Sequence, residues 1–300
     1  MTGGQERSDP GSVTGGQERS DPGSVIQRQA GSIVGVTHGP SPLNVYRFGP
    51  ARPAQILAIH GLTGHGLRWK TLADQQLAEF AVIAPDLLGH GRSSWDAPWS
   101  IDANVSALAA VLDADGTGPV VVVGHSFGGA VALSLAAARP DLVAALVLLD
   151  PAVGLDGGWM REIADHMLAS PDYPDRAEAR AEKINGSWGE VDVSELERDL
   201  DEHLMTLPNG RMSWRIGIPA VMSYWSELTR AAAVPAPGTP TTLVRATRTE
   251  PPYVTDELLT RLRDRLGADF TVLDFDCDHM VGHAKPAETA ALIRAALAAR

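Results

Sequence analysis

Residues 119–139 read PVVVVGHSFGGAVALSLAAAR, and this stretch decides the fold. Its four consecutive valines predict a strand buried on both faces, as in a parallel sheet, and the small and apolar residues that follow predict a helix. Between them, GHSFG at 124–128 predicts a sharp turn from strand to helix. Such a turn strains the central Ser126 and exposes its Oγ, while the flanking glycines let the two backbones approach closely.

The same alternation of strand and helix extends along the chain in both directions. From Ile26 onward it predicts an α/β protein, with a mostly parallel sheet covered by helices on both faces. The predicted central strands are residues 55–60, 81–86, 119–124, 145–150, 241–246 and 270–275, and the predicted helices lie near 71–79, 101–113, 126–139, 254–266 and 286–299. An antiparallel hairpin over 32–49 is expected at the edge of the sheet.

A long segment interrupts this alternation after the fourth central strand. Its apolar positions follow helical spacing, which predicts an inserted helical cap, or lid, over 151–235 between two parts of the core, 26–150 and 236–300. Trp159, Trp214 and Trp225 in this segment are candidates for lining an apolar substrate pocket, although the same residues could instead hold the cap together. The acidic stretch 190–202 is typical of the solvent-exposed face of a helix.

The beginning of the chain has a different composition. The sequence TGGQERSDPGSV occupies residues 2–13 and is repeated at 14–25. A segment this polar and rich in Gly, Ser and Pro buries too little apolar surface to offset its ordering entropy. Residues 1–25 are therefore predicted to form a disordered tail.

Composition narrows the range of functions. The formal charge of −12 and the pI near 5.1 argue against nucleic acid as a partner. No apolar run reaches the roughly 20 residues of a membrane-spanning helix, so no membrane insertion is expected. With Cys277 as the single cysteine, no internal disulfide can form, and a cytoplasmic location is expected. The histidines and aspartates show no metal-ligand spacing, so neither a metal nor a cofactor is expected; the oligomeric state stays open.

Several motifs together resemble the α/β-hydrolase superfamily, and the resemblance covers the chain from about residue 30 to its end. They are GHSFG at 124–128, HGLTG at 60–64, DLLGHGRS at 86–93, and a histidine that precedes Lys285-Pro286 at the start of the last helix. The resemblance is to serine hydrolases of the esterase and cofactor-free haloperoxidase branch. It implies an eight-stranded, mostly parallel sheet flanked by helices, with Ser126 as the catalytic nucleophile.

The other catalytic roles follow from this resemblance and from the chemistry of acyl transfer. A serine hydroxyl needs a base, and the family's order of residues assigns that role to His279, with His283 as the competing position. The oxyanion would be bound by the backbone amides of Leu62 and Phe127. His60 is expected to brace the loop that carries Leu62 rather than to transfer protons.

The acid that orients the histidine has two candidate positions. Relatives usually carry an aspartate after the strand at 241–246, and Glu250 stands at the matching position here, which makes it the preferred candidate. Asp150, at the end of the preceding strand, is the alternative, because some relatives place the acid there. Both positions stay open on the sequence alone.

These residues predict a serine hydrolase that cleaves a small to medium carboxylic ester with an apolar acyl group through an acyl-enzyme intermediate. The partner is then a small-molecule ester or acyl substrate. Cofactor-free haloperoxidase or perhydrolase chemistry and carbon–carbon bond hydrolysis are alternatives that use the same triad. A non-catalytic protein that binds a small ligand in a hydrolase-like pocket is an alternative of another class.

Overall fold

The computed structural model describes residues 42–116 and 118–299. The predicted tail, residues 1–25, lies outside the described residues, as do residues 32–41 of the predicted edge hairpin. From the second half of that hairpin, one strand is described, Val45–Phe48.

The described residues form a seven-stranded sheet and a separate two-stranded sheet. The strands are β1 (Val45–Phe48), β2 (Ile56–Ile59), β3 (Val82–Pro85), β4 (Val120–His125), β5 (Val143–Leu149), β6 (Leu204–Thr206), β7 (Met212–Trp214), β8 (Thr241–Ala246) and β9 (Phe270–Phe275). The order in the larger sheet is β1-β3-β2-β4-β5-β8-β9, with only β1 antiparallel to its neighbour. The prediction of a mostly parallel α/β-hydrolase sheet is confirmed, and all six predicted central runs form strands. The described residues give this sheet seven strands, one fewer than the eight that the resemblance implies.

The described residues also form helices, which either cover the two faces of this sheet or belong to the segment between β5 and β8. They are α1 (Lys70–Gln76), α2 (Ile101–Asp115), α3 (Phe127–Ala138), α4 (Gly157–Ala169), α5 (Arg176–Asn185), α6 (Val193–His203), α7 (Ile218–Glu227), α8 (Asp256–Leu266), α9 (Val281–Ala284) and α10 (Pro286–Ala298). Helix ends follow local chemistry: the Ser100 side chain accepts a hydrogen bond from the Ala103 amide at the start of α2, and Gly116 ends that helix with a φ of 65°.

The valine strand β4 lies at the centre of the core. Val120 and Val122 pack into the apolar cluster on one face of the sheet, and Val121 and Val123 pack into the cluster on the other. β4 is thus buried on both faces, as predicted. β9 departs from its prediction as a buried central strand, because it is an edge strand that pairs only with β8 and has no fully buried residue.

The segment between β5 and β8 contains α4, α5, α6 and α7. It also contains β6 and β7, which pair antiparallel with Leu204 opposite Trp214. This hairpin corrects the expectation of purely helical structure over 151–235, which is hereafter called the inserted segment. Part of it forms an apolar cluster of its own, which Met280 joins from the loop after β9.

Candidate active site

Ser126 occupies the turn between β4 and α3 in a strained conformation, with φ 53° and ψ −122°. The neighbouring glycines explain how the turn closes. A Cβ on Gly128 would lie 2.4 Å from the carbonyl oxygen of Ile59, and one on Gly124 would lie 2.5 Å from the carbonyl oxygen of Gly128. The turn therefore has the geometry that the sequence predicts, with the serine at the carboxyl end of a central strand.

His279 is paired with Asp150. Nδ1 of His279 donates a hydrogen bond of 2.6 Å to Oδ2 of Asp150, and Oδ1 of Asp150 accepts one of 3.1 Å from the Ala246 amide. Asp150 is 1% exposed, and its backbone has a φ of 45°. Because an ionised carboxylate only accepts hydrogen bonds, the proton of a neutral His279 is held on Nδ1, which leaves Nε2 as the basic nitrogen.

Glu250, the acid preferred from the sequence, lies away from this pair. It is exposed and makes no side-chain hydrogen bond or ion pair with the described residues. The loop after β8 is held at the surface instead, where Arg248 donates to both carboxylate oxygens of Asp276, at 2.7 and 2.9 Å. The structure therefore brings the alternative candidate, Asp150, to His279 and does not bring the preferred candidate, Glu250, there.

Strand order explains why Asp150 can reach the site. β4 and β5 are neighbours, with His125 opposite Leu149, so Ser126 and Asp150 are the next residues of adjacent strands. The Ser126 amide also donates to the carbonyl oxygen of Leu149, at 3.0 Å. Neither Ser126 Oγ nor His279 Nε2 bonds to any described residue, so both are available to a substrate; such hydrogen bonds often tighten only in the substrate complex.

Two residues that the sequence did not single out, His125 and Tyr253, pack their rings against the His279 ring. His125 donates from Nε2 to the carbonyl oxygen of His279, at 2.8 Å, and burial lowers the pKa of His125 well below its ordinary value, which keeps it neutral. The ring of Tyr253 lies 4.3 Å from the ring of His279, centroid to centroid. Asp278 accepts a 2.6 Å hydrogen bond from the His279 amide.

The two amides proposed for the oxyanion are both free of partners among the described residues. The Phe127 amide is the first of α3, where helix geometry leaves an N–H group without an acceptor. Leu62 follows Gly61, and a Cβ on Gly61 would lie 3.0 Å from Cβ of Ser126. The loop that carries the Leu62 amide is therefore packed directly against Ser126.

His60 braces this loop. The Leu87 amide donates to its Nε2 at 2.9 Å, so Nδ1 carries the proton and donates to the carbonyl oxygen of Gly61 at 2.8 Å. That carbonyl belongs to the same peptide group as the Leu62 amide. Burial lowers the pKa of His60 well below its ordinary value, so the imidazole stays neutral and the orientation of this peptide is fixed.

The three candidate tryptophans lie in different surroundings. Trp159 stacks on Tyr253 at 5.3 Å, which connects it to the His279 ring. Trp214 lies in the inserted segment, where its indole donates to the Tyr173 hydroxyl at 3.0 Å. Trp225 packs against the main core, and its buried indole nitrogen has no partner among the described residues. Of the three, the structure thus connects only Trp159 to His279.

A cavity of about 350 Å³ is lined by Gly61, His125 and Met280, the chain neighbours of Leu62, Ser126 and His279. Residues of α1, of the start of α6 and of the loop after β9 form the rest of its wall. Its lining residues are His60, Gly61, Arg68, Trp69, Thr71, Leu72, Gln75, His125, Asp192, Ser194, Glu195, Met280, Gly282, His283 and Pro286. His283, the competing histidine of the sequence, is therefore a wall residue, and burial lowers its pKa to about 4.

Metal-binding clusters and membrane-spanning helices are both missing from the described part of the chain. Across 42–116 and 118–299, no group of three or more His, Cys, Asp or Glu side chains is arranged to hold a metal ion. In the same ranges, no helix has the length and apolar character needed to cross a membrane.

A sequence model of the alpha/beta hydrolase family matches residues 56–292. The chain therefore belongs to the alpha/beta hydrolase family. Among individual proteins, it is similar to Lipase LipV of Mycobacterium tuberculosis, with 65% identity over 258 residues that cover 86% of this chain and 98% of that protein. It is also 30% identical over 231 residues to Esterase Rv0045c of the same organism, covering 74% of this chain and 75% of that protein.

Solved structures agree with the fold. A structure of the M. tuberculosis esterase Rv0045c superposes with a TM-score of 0.65 at 25% identity, over 87% of this chain and 90% of that chain. E-2-(acetamidomethylene)succinate hydrolase superposes with a TM-score of 0.72 at 21% identity, over 85% of this chain and 95% of that chain. At that identity the second likeness shows the fold alone.

Proposed function

We propose that the chain is a carboxylic ester hydrolase that acts through an acyl-enzyme on Ser126. The observation that carries the proposal is the buried Asp150 carboxylate on Nδ1 of His279, next to a serine in a strained strand-to-helix turn. A buried carboxylate stabilises the imidazolium that forms when the histidine accepts a proton. A pure binding protein has no need for this arrangement.

The steps follow from these positions. Nε2 of His279 takes the proton of Ser126 Oγ as the oxygen attacks the ester carbonyl, and the carbonyl electron pair moves onto the oxygen. The Leu62 and Phe127 amides donate to that oxyanion. When the carbon–oxygen bond to the alcohol breaks, the imidazolium returns its proton to the leaving oxygen. Water then attacks the acyl carbon as Nε2 of His279 takes one of its protons, the bond from that carbon to Ser126 Oγ breaks, Oγ regains the proton from the imidazolium, and the carboxylic acid leaves.

The substrate class is an ester of small to medium size with an apolar acyl group. The cavity beside Gly61 and His125 has a volume of about 350 Å³, at the lower end of the roughly 300–1,000 Å³ usual for ligand pockets. Trp69, Leu72 and Met280 give its wall an apolar character. The similarity to Lipase LipV and Esterase Rv0045c favours an ester over the other bonds that a serine triad can cleave.

We further propose that the inserted segment, residues 151–235, acts as a cap over this site. Asp192, Ser194 and Glu195 from the segment line the cavity. Met280, the residue after the histidine base, packs into the segment's own apolar cluster. Trp159 reaches the base through Tyr253.

A hydrolysis screen tests this proposal. Wild type and Ser126→Ala would be compared on p-nitrophenyl esters of increasing acyl length, with thioesters, lactones, a carbon–carbon bond substrate and peracid formation alongside. We expect activity on short and medium esters that disappears in Ser126→Ala. If activity were confined to peracid formation or to carbon–carbon cleavage, that reaction would have to be assigned instead of ester hydrolysis. If no substrate of any class were turned over, the proposal of an enzyme would be wrong.

A further inference from the structure

A buried ion cluster joins the inserted segment to the core. Asp199 on α6 is 4% exposed, and its Oδ1 accepts hydrogen bonds from Arg68 Nε at 2.7 Å and from His65 Nε2 at 2.9 Å. Lys183 on α5 donates to its Oδ2. Arg68 and His65 belong to the core loop that follows Leu62. The cluster corrects the expectation that the acidic stretch 190–202 is entirely solvent-exposed.

The cluster extends to the loop that carries the proposed oxyanion donor. Nη2 of Arg68 donates to the carbonyl oxygen of Thr63 at 3.1 Å, while the Thr63 amide donates to Nε2 of His90 at 3.3 Å. Thr63 has a φ of 59°, a left-handed conformation that is strained for a β-branched residue. Contacts around Thr63 must hold this conformation, and Arg68 supplies the contact to the Thr63 carbonyl oxygen.

We propose that Arg68, held by Asp199 of the inserted segment, is a positioning residue: it fixes the Thr63–Gly64 peptide and the strained Thr63 backbone, and thereby aims the Leu62 amide at the oxyanion. Its role rests on the proposed ester hydrolase function. His60 holds the Gly61–Leu62 peptide by its carbonyl oxygen, and His90 holds the next peptide by the Thr63 amide. Arg68 holds the one after that by the Thr63 carbonyl oxygen, so three consecutive peptides around Leu62 are fixed. The inserted segment thus shapes the oxyanion site as well as the cavity.

The chemistry of the cluster favours arginine at this position. Its guanidinium donates from Nε to Asp199 and from Nη2 to Thr63 at once, whereas a lysine ammonium is a single point that cannot occupy both places. The Arg68 guanidinium also lies 4.9 Å from the centre of the Trp188 ring, which the inserted segment contributes. Without Arg68, Lys183 still neutralises Asp199.

Three matched variants separate positioning from general damage to a buried cluster. Arg68→Met removes the bond to Thr63 but leaves the Lys183–Asp199 pair neutral overall. Lys183→Met removes a cation from the same cluster but keeps Arg68 on Asp199 and Thr63. Arg180→Met removes an arginine of the inserted segment that pairs with Glu197 at the surface. For each, kcat and KM on the best ester and amide hydrogen exchange of a peptide covering residues 61–69 would be measured.

We expect Arg68→Met to lower kcat by about 10- to 100-fold, which is no more than the fall in kcat caused by removing one oxyanion donor. KM should stay within about threefold of the wild-type value. Lys183→Met should change kcat by less than about threefold, and Arg180→Met should match wild type. Exchange in 61–69 should rise in Arg68→Met alone. Arg68→Lys, which keeps the charge, should show the same two changes if Arg68→Met does not fold.

Two results would overturn the proposal. One is wild-type kcat and exchange in Arg68→Met or Arg68→Lys. The other is an equal loss of kcat and equal exchange in Lys183→Met, which would assign the effect to cluster stability. The exchange measurement is independent of turnover. If wild type cleaves no ester but Arg68→Met still loosens 61–69, the proposed function fails while the contact between Arg68 and the loop stands.

Discussion

At the scale of single residues, Asp150 uses both carboxylate oxygens. One accepts from Nδ1 of His279, and the other accepts from the Ala246 amide at the end of β8. The second bond fixes the rotation of the carboxylate, so the first can fix the plane of the imidazole. Glu250 has neither kind of contact.

We therefore expect two isosteric substitutions, Asp150→Asn and Glu250→Gln, to have different effects on kcat. Asp150→Asn should lower kcat by about 10⁴-fold, because an amide can donate to Nδ1 and favour the wrong histidine tautomer. Glu250→Gln should stay within about twofold of wild type, since an exposed surface substitution changes little. Steady-state kinetics on one ester, with circular dichroism to verify folding, makes the comparison. The reverse pattern would return the acid to Glu250.

The residues of the site could be predicted unequally well from the sequence. Ser126 is marked by the valine strand before it and the small-residue helix after it, and His279 by its place between the last strand and Lys285-Pro286. The acid could not be chosen, because Asp150 and Glu250 both follow strands. Which of them meets His279 depends on where the loop after β8 runs, and Arg248 holds that loop at the surface.

At the scale of elements, the β4-to-α3 turn depends on Gly128, which lies where helix α3 passes the end of strand β2. The Cβ of any other residue at 128 would lie 2.4 Å from the Ile59 carbonyl and 2.6 Å from the His60 carbonyl. Both are backbone atoms, so the helix or the oxyanion loop would have to move. Gly157, at the start of α4, differs, because a Cβ there would have nothing within 4 Å.

The second expectation compares these two glycines. Gly128→Ala should lower the free energy of unfolding by about 1–3 kcal/mol through overpacking, and it should lower kcat because the shift reaches His60. Gly157→Ala should leave kcat unchanged and stabilise the protein slightly, by up to about 1 kcal/mol. Urea unfolding and ester kinetics on both variants provide the test. Equal stability of the two variants would contradict the close-packing explanation.

The inserted segment contains elements that the spacing of its apolar residues does not predict. Its helices were predictable from their spacing, but β6 and β7 are three residues each, too short for an alternating pattern to stand out. Burial of Asp199 could not be predicted either, since Arg68 and Lys183 approach it from distant parts of the chain. The sequence of an acidic run does not indicate which of its carboxylates is buried in an ion pair.

At the scale of the whole molecule, the fold holds several neutral histidines in buried or partly buried places. Burial is the largest cause that lowers their pKa values: His90 and His283 fall to about 4, and three others fall well below the ordinary value of 6.5, namely His60, His125 and His203. Below pH 6.5 the unfolded chain therefore binds more protons than the folded one. Stability must fall as the pH drops from 6.5 towards 4.

We therefore expect the protein to be less stable at acid pH. The free energy of unfolding at pH 5 should be lower than at pH 7.5 by about 2 kcal/mol for His90 and by about as much for His283. Urea unfolding at the two pH values measures the loss. His283→Gln should reduce the loss, while His166→Gln should not, because His166 is exposed on α4. Unchanged stability between pH 7.5 and pH 5 would show that these side chains are not buried in the neutral form.

The most direct test of the central claim is stoichiometric labelling of the folded protein with a fluorophosphonate, followed by peptide mapping and ester assays on the same samples. The expected result is one label per chain on the peptide that contains Ser126, a loss of esterase activity in proportion to that label, and no label in Ser126→Ala. Esterase activity that survives complete labelling, or a label on another residue, would contradict the assignment of Ser126 as the nucleophile.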